Sequence, residues 1–258
     1  MALTFQSLRS SSSGNCLLLS DGHHAILIDC GLQTQRECRA LLDAHAGHIA
    51  GVLVSHAHGD HVCYSALKVL QSYGTAVYCH EQTAPLVASR HVVRLRSPLM
   101  PREFTSAPFT LGGFEITPVA LPHEPGCPTF GFVVRTGSHK CVFATDFYDP
   151  DALLPHLADA DLAFVESNHD LGLLRRYPNF ASHYHLSNVK SADLLYRAVA
   201  ASRRPPRHVV LGHLSEQRNT DRLALKTLHA RFKKAGHAID FPVTPAPRRD
   251  ASAPIVLN

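Results

Sequence analysis

Four side chains able to ligate a metal crowd into six positions, His56, His58, Asp60 and His61, within VSHAHGDHVC (residues 54–63). The apolar run GVLVS just before them reads as a buried strand. In extended backbone, residues i and i+2 project to the same face, so the His56 and His58 imidazoles can reach one ion. Asp60 and His61 fall in the turn that opens the next helix, within reach of a second ion a few ångströms away. Imidazole with carboxylate suits Zn²⁺, Mn²⁺ or Fe, and no cysteine joins the cluster to favour a softer site. The chain has 19 histidines, so the alternative is a polar strand-end loop, and the decision rests on what lies elsewhere.

The elements that must position this cluster are legible as short apolar runs bounded by Gly, Asp, Asn and His. LTFQSL, CLLLS, AILIDC and GVLVSH read as four strands, with a helix in TQRECRALLDAHAG closed by Gly47. CYSALKVLQSYG carries helical spacing after the cluster, and AVYCH reads as a further strand. FEITPVAL, TFGFVVRT and KCVFAT form a second strand-rich block. LAFVES and HVVLGHL read as buried strands separated by a helix around LSNVKSADLLYRAVAAS, and TDRLALKTLHARFKKAG as an amphipathic helix. Strands interleaved with helices predict an α/β sandwich in one domain, residues 1–243. The Pro-, Ala- and Arg-rich residues 244–258 read as a loose tail.

Composition narrows the function. A net charge of +4 and a pI of about 8.7 are mildly basic, compatible with a phosphate-bearing substrate and far from a histone-like partner. The N-terminus reads as lacking a signal peptide, and no run approaches the ~20 apolar residues of a membrane span. Seven cysteines without a Cys-x-x-Cys pair predict core hydrophobes in a reducing cytoplasm rather than disulfides or a zinc knuckle.

His-x-His-x-Asp-His resembles the signature of the metallo-β-lactamase superfamily, which implies an αββα four-layer sandwich and further ligands at strand ends. His123 follows FEITPVALP, Asp146 follows KCVFAT and His213 follows HVVLG. The resemblance implies His56, His58 and His123 on one divalent ion, Asp60, His61 and His213 on the other, and Asp146 bridging. It also implies that Asp29, ending AILID, supports the ligand loop from behind. Within the superfamily, secreted lactamases replace the bridging aspartate by cysteine, thioesterases add a C-terminal substrate domain, and the RNA-processing nucleases insert a domain before the last histidine. SSSSGNC (10–16), ESNHD (166–170), HLSN (185–188) and GHLSEQRNT (212–220) resemble instead the small YycJ-like branch, linked to 5′-to-3′ DNA exonuclease activity.

The expected function is therefore a two-metal phosphodiesterase, with DNA favoured over RNA, in which a metal-held hydroxide attacks phosphorus and Asp60 helps to orient it. Resemblance to the histidine–glutamate pair of the related transfer-RNA 3′-processing enzymes implies that His185, oriented by Glu166, protonates the leaving oxygen; the alternative is a polar helix-capping residue. SHYHLSN departs from the branch by placing Tyr184 before the histidine and adding His183, so either His183 or His185 faces the metals, and register with Leu-Ser-Asn favours His185. Ser13 and Asn15 lie in a small polar hairpin that either holds a phosphate or is a plain turn. Asn168 either overlies the site or makes an Asx-type turn. Arg90, Arg94, Arg96, Arg102, Arg175 and Arg176 either form a basic rim or a solvated face, and no aromatic residues interleave with them to suggest base stacking. The alternatives are a hydrolase of small phosphodiesters or thioesters, and a non-catalytic metal-binding regulator.

Overall fold

The computed structural model describes residues 2–45, 47–94 and 100–258. Arg96 and the side chain of Arg94 lie outside the described part. The first half of the chain forms β1 (Leu3–Ser11), β2 (Gly14–Ser20), β3 (Ala25–Ile28), α1 (Gln35–Ala44), β4 (Ile49–Val54), α2 (Tyr64–Ser72), β5 (Val77–His80), α3 (Ala84–Arg90) and β6 (Arg102–Phe104). The second half forms β7 (Phe109–Leu111), β8 (Phe114–Leu121), β9 (Thr129–Thr136), β10 (His139–Ala144), α4 (Leu154–Leu157), β11 (Leu162–Glu166), α5 (Leu171–Arg176), α6 (Asn188–Ala201), β12 (His208–Gly212), α7 (Asp221–Lys234), β13 (Val243–Pro245) and β14 (Ile255–Leu257).

Two seven-stranded sheets result, ordered β14-β1-β2-β3-β4-β5-β6 and β13-β12-β11-β10-β9-β8-β7. Each starts with antiparallel hairpins and ends in parallel strands joined through helices, β3 to β6 in one and β10 to β13 in the other. The parallel strands β3 and β11 are buried on both faces, which is why AILI and LAFVE read as unbroken apolar runs rather than alternating ones. Alternate residues of β2 show the layering. Cys16 and Leu18 pack toward α1 and α2, while Leu17 and Leu19 face the other sheet among Phe5, Phe143 and Phe164. A third cluster joins the second sheet to α4, α6 and α7. Three apolar interfaces thus hold four layers, helix–sheet–sheet–helix.

Residues 244–258 are not a loose tail. β13 pairs parallel with β12 and β14 pairs antiparallel with β1, so the segment covers an edge of each sheet. Between them Arg248 donates to the Leu214 and Asn219 carbonyls and to Asp221, and the Ser252 N–H donates to the Ser7 carbonyl. Runs of three residues are too short to show strand alternation in sequence, and the pairing that orders them comes from distant strands. The folded unit therefore extends past 243.

A buried carboxylate pins the second sheet. Asp161, just before β11, accepts from the Lys140 N–H at 2.9 Å, from Arg204 at 2.9 Å and from Arg207 Nε at 3.0 Å. Burial opposes its ionisation, but the Arg204 guanidinium and the Lys140 N–H hold its pKa below the ordinary value. A depressed folded pKa stabilises above the unfolded-state value, about 3.9, and that stabilisation is lost as pH falls through the folded value. Asp161→Asn is expected to cost about 1.5–3 kcal/mol in urea unfolding at neutral pH, with the gap to the native protein closing in acid.

Candidate two-metal centre

The candidate residues converge at the C-terminal edges of the two sheets, where open α/β sheets place their ligands. Asp29 follows β3, the His56–His61 turn follows β4, His123 follows β8, Asp146 follows β10, Glu166 ends β11 and His213 follows β12. Asp29, Asp146 and His213 all adopt left-handed backbone, with φ of 60°, 60° and 52°. Aspartate and histidine tolerate this region better than branched residues do, and at a strand end it swings the side chain out of the sheet register toward the shared centre.

Two donor groups form. His56, His123 and Asp146 bring ligand atoms within 4.8 Å of one another, and Asp60, His61 and His213 do the same beside them. Asp146 lies between, its Oδ2 3.0 Å from His61 Nε2 but without hydrogen-bond alignment. His58 joins the first group through Nδ1, 3.0 Å from His56 Nε2.

In every histidine of the cluster the nitrogen facing away from the centre meets a partner. His56 Nδ1 meets Ser55 Oγ at 3.0 Å, His61 Nδ1 meets Asp29 at 2.7 Å, and His123 Nδ1 meets the Tyr184 carbonyl at 3.1 Å. His213 Nδ1 meets Glu166 at 2.9 Å, and His58 Nε2 meets Glu124 at 2.8 Å. Such contacts fix which ring nitrogen is left for a metal. Three of the left-over atoms, His123 Nε2, His213 Nε2 and Asp146 Oδ2, are buried with no hydrogen-bond partner among the described residues. The carboxylates Asp29, Asp60, Asp146 and Glu166 meet here, and among the described residues the bases within ion-pair distance of them are histidines. Burial opposes ionisation of Asp60 and Asp146, yet the His61 and His213 imidazoles hold both carboxyls well below the usual range. Buried, ionised carboxylates beside unpartnered imidazole nitrogens call for cations. The donor set fits divalent metal ions: His56, His58 and His123 would hold one and Asp60, His61 and His213 another, with Asp146 standing between the two groups.

The centre opens into a polar cleft of about 310 Å³ whose base is Asp60, His123, Asp146, His185 and His213. His185 turns Nδ1 to Glu166 at 2.7 Å, whereas His183 is exposed against Phe180. Asn168 lines the cleft and donates Nδ2 to the His213 carbonyl. Asn15 does not face the cleft; it is buried under the ligand turn, donating to Ser11 O and lying 3.0 Å from His61 Nε2 and 3.3 Å from Asp60 Oδ2. Ser12, not Ser13, lines the cleft, and Ser13 faces an adjoining groove with Gly59 and Tyr64. Arg175 sits exposed on α5 and does not line the cleft; the guanidinium that does is Arg218, its Nε donating to the Tyr177 carbonyl at 2.7 Å. Arg218 was visible in GHLSEQRNT, but which arginine of the rim points inward depends on the fold.

Two further residues of the site carry no signal in the sequence. Glu124 adjoins His123, yet its partner is His58. Cys127, expected as a core hydrophobe, is buried outside the three apolar clusters, with Sγ within 4.8 Å of ring nitrogens of His56 and His58. The other six cysteines do sit in the apolar cores. Glu124→Gln keeps the shape but weakens the acceptor that orients His58, so metal affinity is expected to fall about 10-fold or more, measured by competition with a chelator.

The branch motifs meet beneath the site. Ser167 Oγ donates to Asn188 at 2.7 Å, Asn188 and Asn219 exchange amide hydrogen bonds, and Asn219 donates to the Ser167 carbonyl at 2.7 Å. Ser10 Oγ accepts from the His213 N–H at 2.8 Å. ESN, HLSN, RNT and the first serine of SSSSGN therefore brace the strand ends that carry His213 and Glu166 and the turn before α6 that carries His185.

A model of the β-lactamase superfamily domain matches residues 24–214. The exodeoxyribonuclease YycJ of Bacillus anthracis is 28% identical over 252 residues, 93% of this chain and 92% of that protein. The exodeoxyribonuclease WalJ of Streptococcus pneumoniae is 24% identical over 249 residues, 92% of this chain and 91% of that protein. The metallo-β-lactamase fold protein YhfI of Bacillus subtilis aligns in structure with a TM-score of 0.73 at 18% identity, covering 98% of this chain and 99% of that one. No helix among the described residues is long and apolar enough to cross a membrane. With a family match over most of its length and the same sandwich in its structural relatives, the chain belongs to the metallo-β-lactamase superfamily and is one of its metal-dependent hydrolases.

Proposed function

We propose that the protein is a two-metal phosphodiesterase that shortens DNA from an end. The observation that carries this reading is the cleft itself, where a cluster fit for two cations, an arginine with no carboxylate partner among the described residues and a Glu166-bound histidine face one space. Bound there, two divalent ions supply Lewis-acid chemistry, lowering the pKa of water and offsetting the charge that develops on a phosphodiester. Zinc or manganese suits this donor set best, with iron also compatible. Asp60, ionised and within 3.6 Å of His61 and His213, orients the attacking water. Arg218, with no carboxylate in ion-pair range among the described residues, neutralises a non-bridging phosphate oxygen. His185 delivers the proton to the leaving oxygen from Nε2, while Glu166 holds Nδ1 and favours the charged ring. Kinship along almost the full chain with two proteins named exodeoxyribonucleases supports DNA. The resemblance of ESNHD, HLSN and GHLSEQRNT supports 5′-to-3′ polarity. Seven buried, unpaired thiols suit the reducing cytoplasm.

The test loads the protein with Mn²⁺ or Zn²⁺ and offers 5′-phosphorylated single- and double-stranded DNA, RNA, a bis-aryl phosphodiester and a glutathione thioester. Release of mononucleotides from DNA is expected, with Asp60→Ala slower by about 100-fold or more. Turnover of the thioester or the small phosphodiester alone would overturn the nuclease reading.

A further inference from the structure

One wall of the cleft is the segment after α5, where Asn179, Ala181, Ser182 and Tyr184 line the space above His185. Phe180, on the same tight turn, is 74% exposed. That leaves out of the core a side chain whose burial is worth about 1.5–3 kcal/mol, so packing does not account for it. Its ring neighbours are His183 at 5.6 Å and Tyr184 at 5.9 Å, and Tyr184 in turn lies 6.2 Å from the ligand candidate His123. A chain of rings therefore runs from the solvent-facing Phe180 to the metal centre. Tyr177, 45% exposed, precedes it, and its carbonyl holds the Nε of Arg218. Arg176 lies 5.4 Å over the Tyr177 ring. Two aromatic rings, Tyr177 and Phe180, and two guanidinium groups, Arg176 and Arg218, thus stand in or next to the segment that walls a polar cleft, three of them from RRYPNF (175–180).

We propose that Phe180 is a stacking platform for an unpaired nucleobase and that Arg218 grips the adjoining phosphate, so the cleft takes a single-stranded or frayed nucleic-acid end. The proposal rests on the phosphodiesterase reading above. Stacking on an aromatic face tolerates every base, because each has a π-face, and a guanidinium beside it meets the backbone charge. A cleft of about 310 Å³ is at the small end of ligand pockets and receives one nucleotide unit, not a paired end. Neither residue selects sequence, which suits an enzyme that must advance along any strand.

The experiment compares the metal-loaded native protein with Phe180→Ala and Phe180→Trp on a 5′-phosphorylated single-stranded oligonucleotide and on the same strand lacking its first few bases. Phe180→Ala is expected to lower kcat/KM on the intact strand about 5- to 100-fold, with the loss in KM, while Phe180→Trp retains most of the activity. On the base-free strand the gap between native and Phe180→Ala shrinks to about twofold or less. Equal losses on both strands would assign Phe180 a structural role and overturn the proposal, as would no loss on either. If the native protein cleaves neither strand, the phosphodiesterase reading falls and this one with it, an outcome distinct from cleavage that ignores Phe180. Because the side chain is exposed, metal content and unfolding midpoint are expected to match the native protein in both variants.

Discussion

Alanine at position 31 is expected to strip the metals from the protein. A Cβ built on Gly31 would lie 1.8 Å from the carbonyl oxygen of Asp60 and 2.3 Å from its carbon, contacts with backbone that no rotamer can relieve. The turn carrying His58, Asp60 and His61 is laid directly on residues 30 and 31. Cys30 N–H donates to His61 O at 2.9 Å, Asn15 N–H to Asp60 O at 2.7 Å, and Gly31 N–H to Asn15 O at 2.8 Å. Any shift that admits a methyl group breaks this set and moves three candidate ligands together. Metal affinity should fall by about 100-fold or more, and the metal-free protein should lose about 1–3 kcal/mol from overpacking. Bound metal by elemental analysis and a urea titration read the two effects separately. Gly59, inside HAHGDH, is the control, because a Cβ there meets nothing within 4 Å. A Gly31→Ala protein with full metal content would refute this account of the turn.

The second large effect is expected from Glu166→Gln. Glu166 is fully buried and all its partners are donors: His185 Nδ1 at 2.7 Å and His213 Nδ1 at 2.9 Å on Oε1, and the N–H groups of Leu186 at 3.0 Å and Phe147 at 3.2 Å on Oε2. Glutamine must turn its NH₂ toward one of these pairs, facing donor with donor. If it faces the histidines, both rings lose the acceptor that sets their tautomers. If it faces the backbone, two buried N–H groups lose their partner, at about 1–3 kcal/mol each. Losing the orienting acceptor of a catalytic imidazole costs up to about 10⁴-fold, so turnover is expected to slow by about 100-fold or more, read as initial rates at saturating DNA. His185→Ala combined with Glu166→Gln should cost far less than the product of the single effects if the two act as a unit. Additive effects would separate them and remove His185 from the proton-transfer role.

The two glycines show where sequence stops being informative. Gly59 stands in the recognisable motif and tolerates a side chain; Gly31 stands outside it and does not. What makes Gly31 demanding is a contact with Asp60, which belongs to a different turn. The same holds for polar residues. Ser167, Asn188 and Asn219 stand out in sequence as a substrate signature, yet in the fold they bond to one another under the strand ends. Asn15 has the character of a phosphate ligand and braces the metal turn instead. Arg175 and Arg218 are chemically identical, and it is the loop after β12 that sends Arg218 into the cleft. Residues 244–258 are loose by composition, but each short strand is ordered by a partner some 30 to 250 positions away.

By itself, the sequence determined the sandwich and which histidines and aspartates gather at the centre. The longer strands are apolar enough to read from local pattern, unlike the three-residue β6, β7, β13 and β14, and candidate ligands stand at strand ends, where their place follows from chain order. Tertiary structure alone decided what each side chain is aimed at. His58 meets Glu124 across 66 positions, His213 meets Ser10 across 203, and the ring of Tyr184 comes to stand beside that of His123. Such pairings depend on how the two sheets pack face to face, and no periodicity within a single element encodes that.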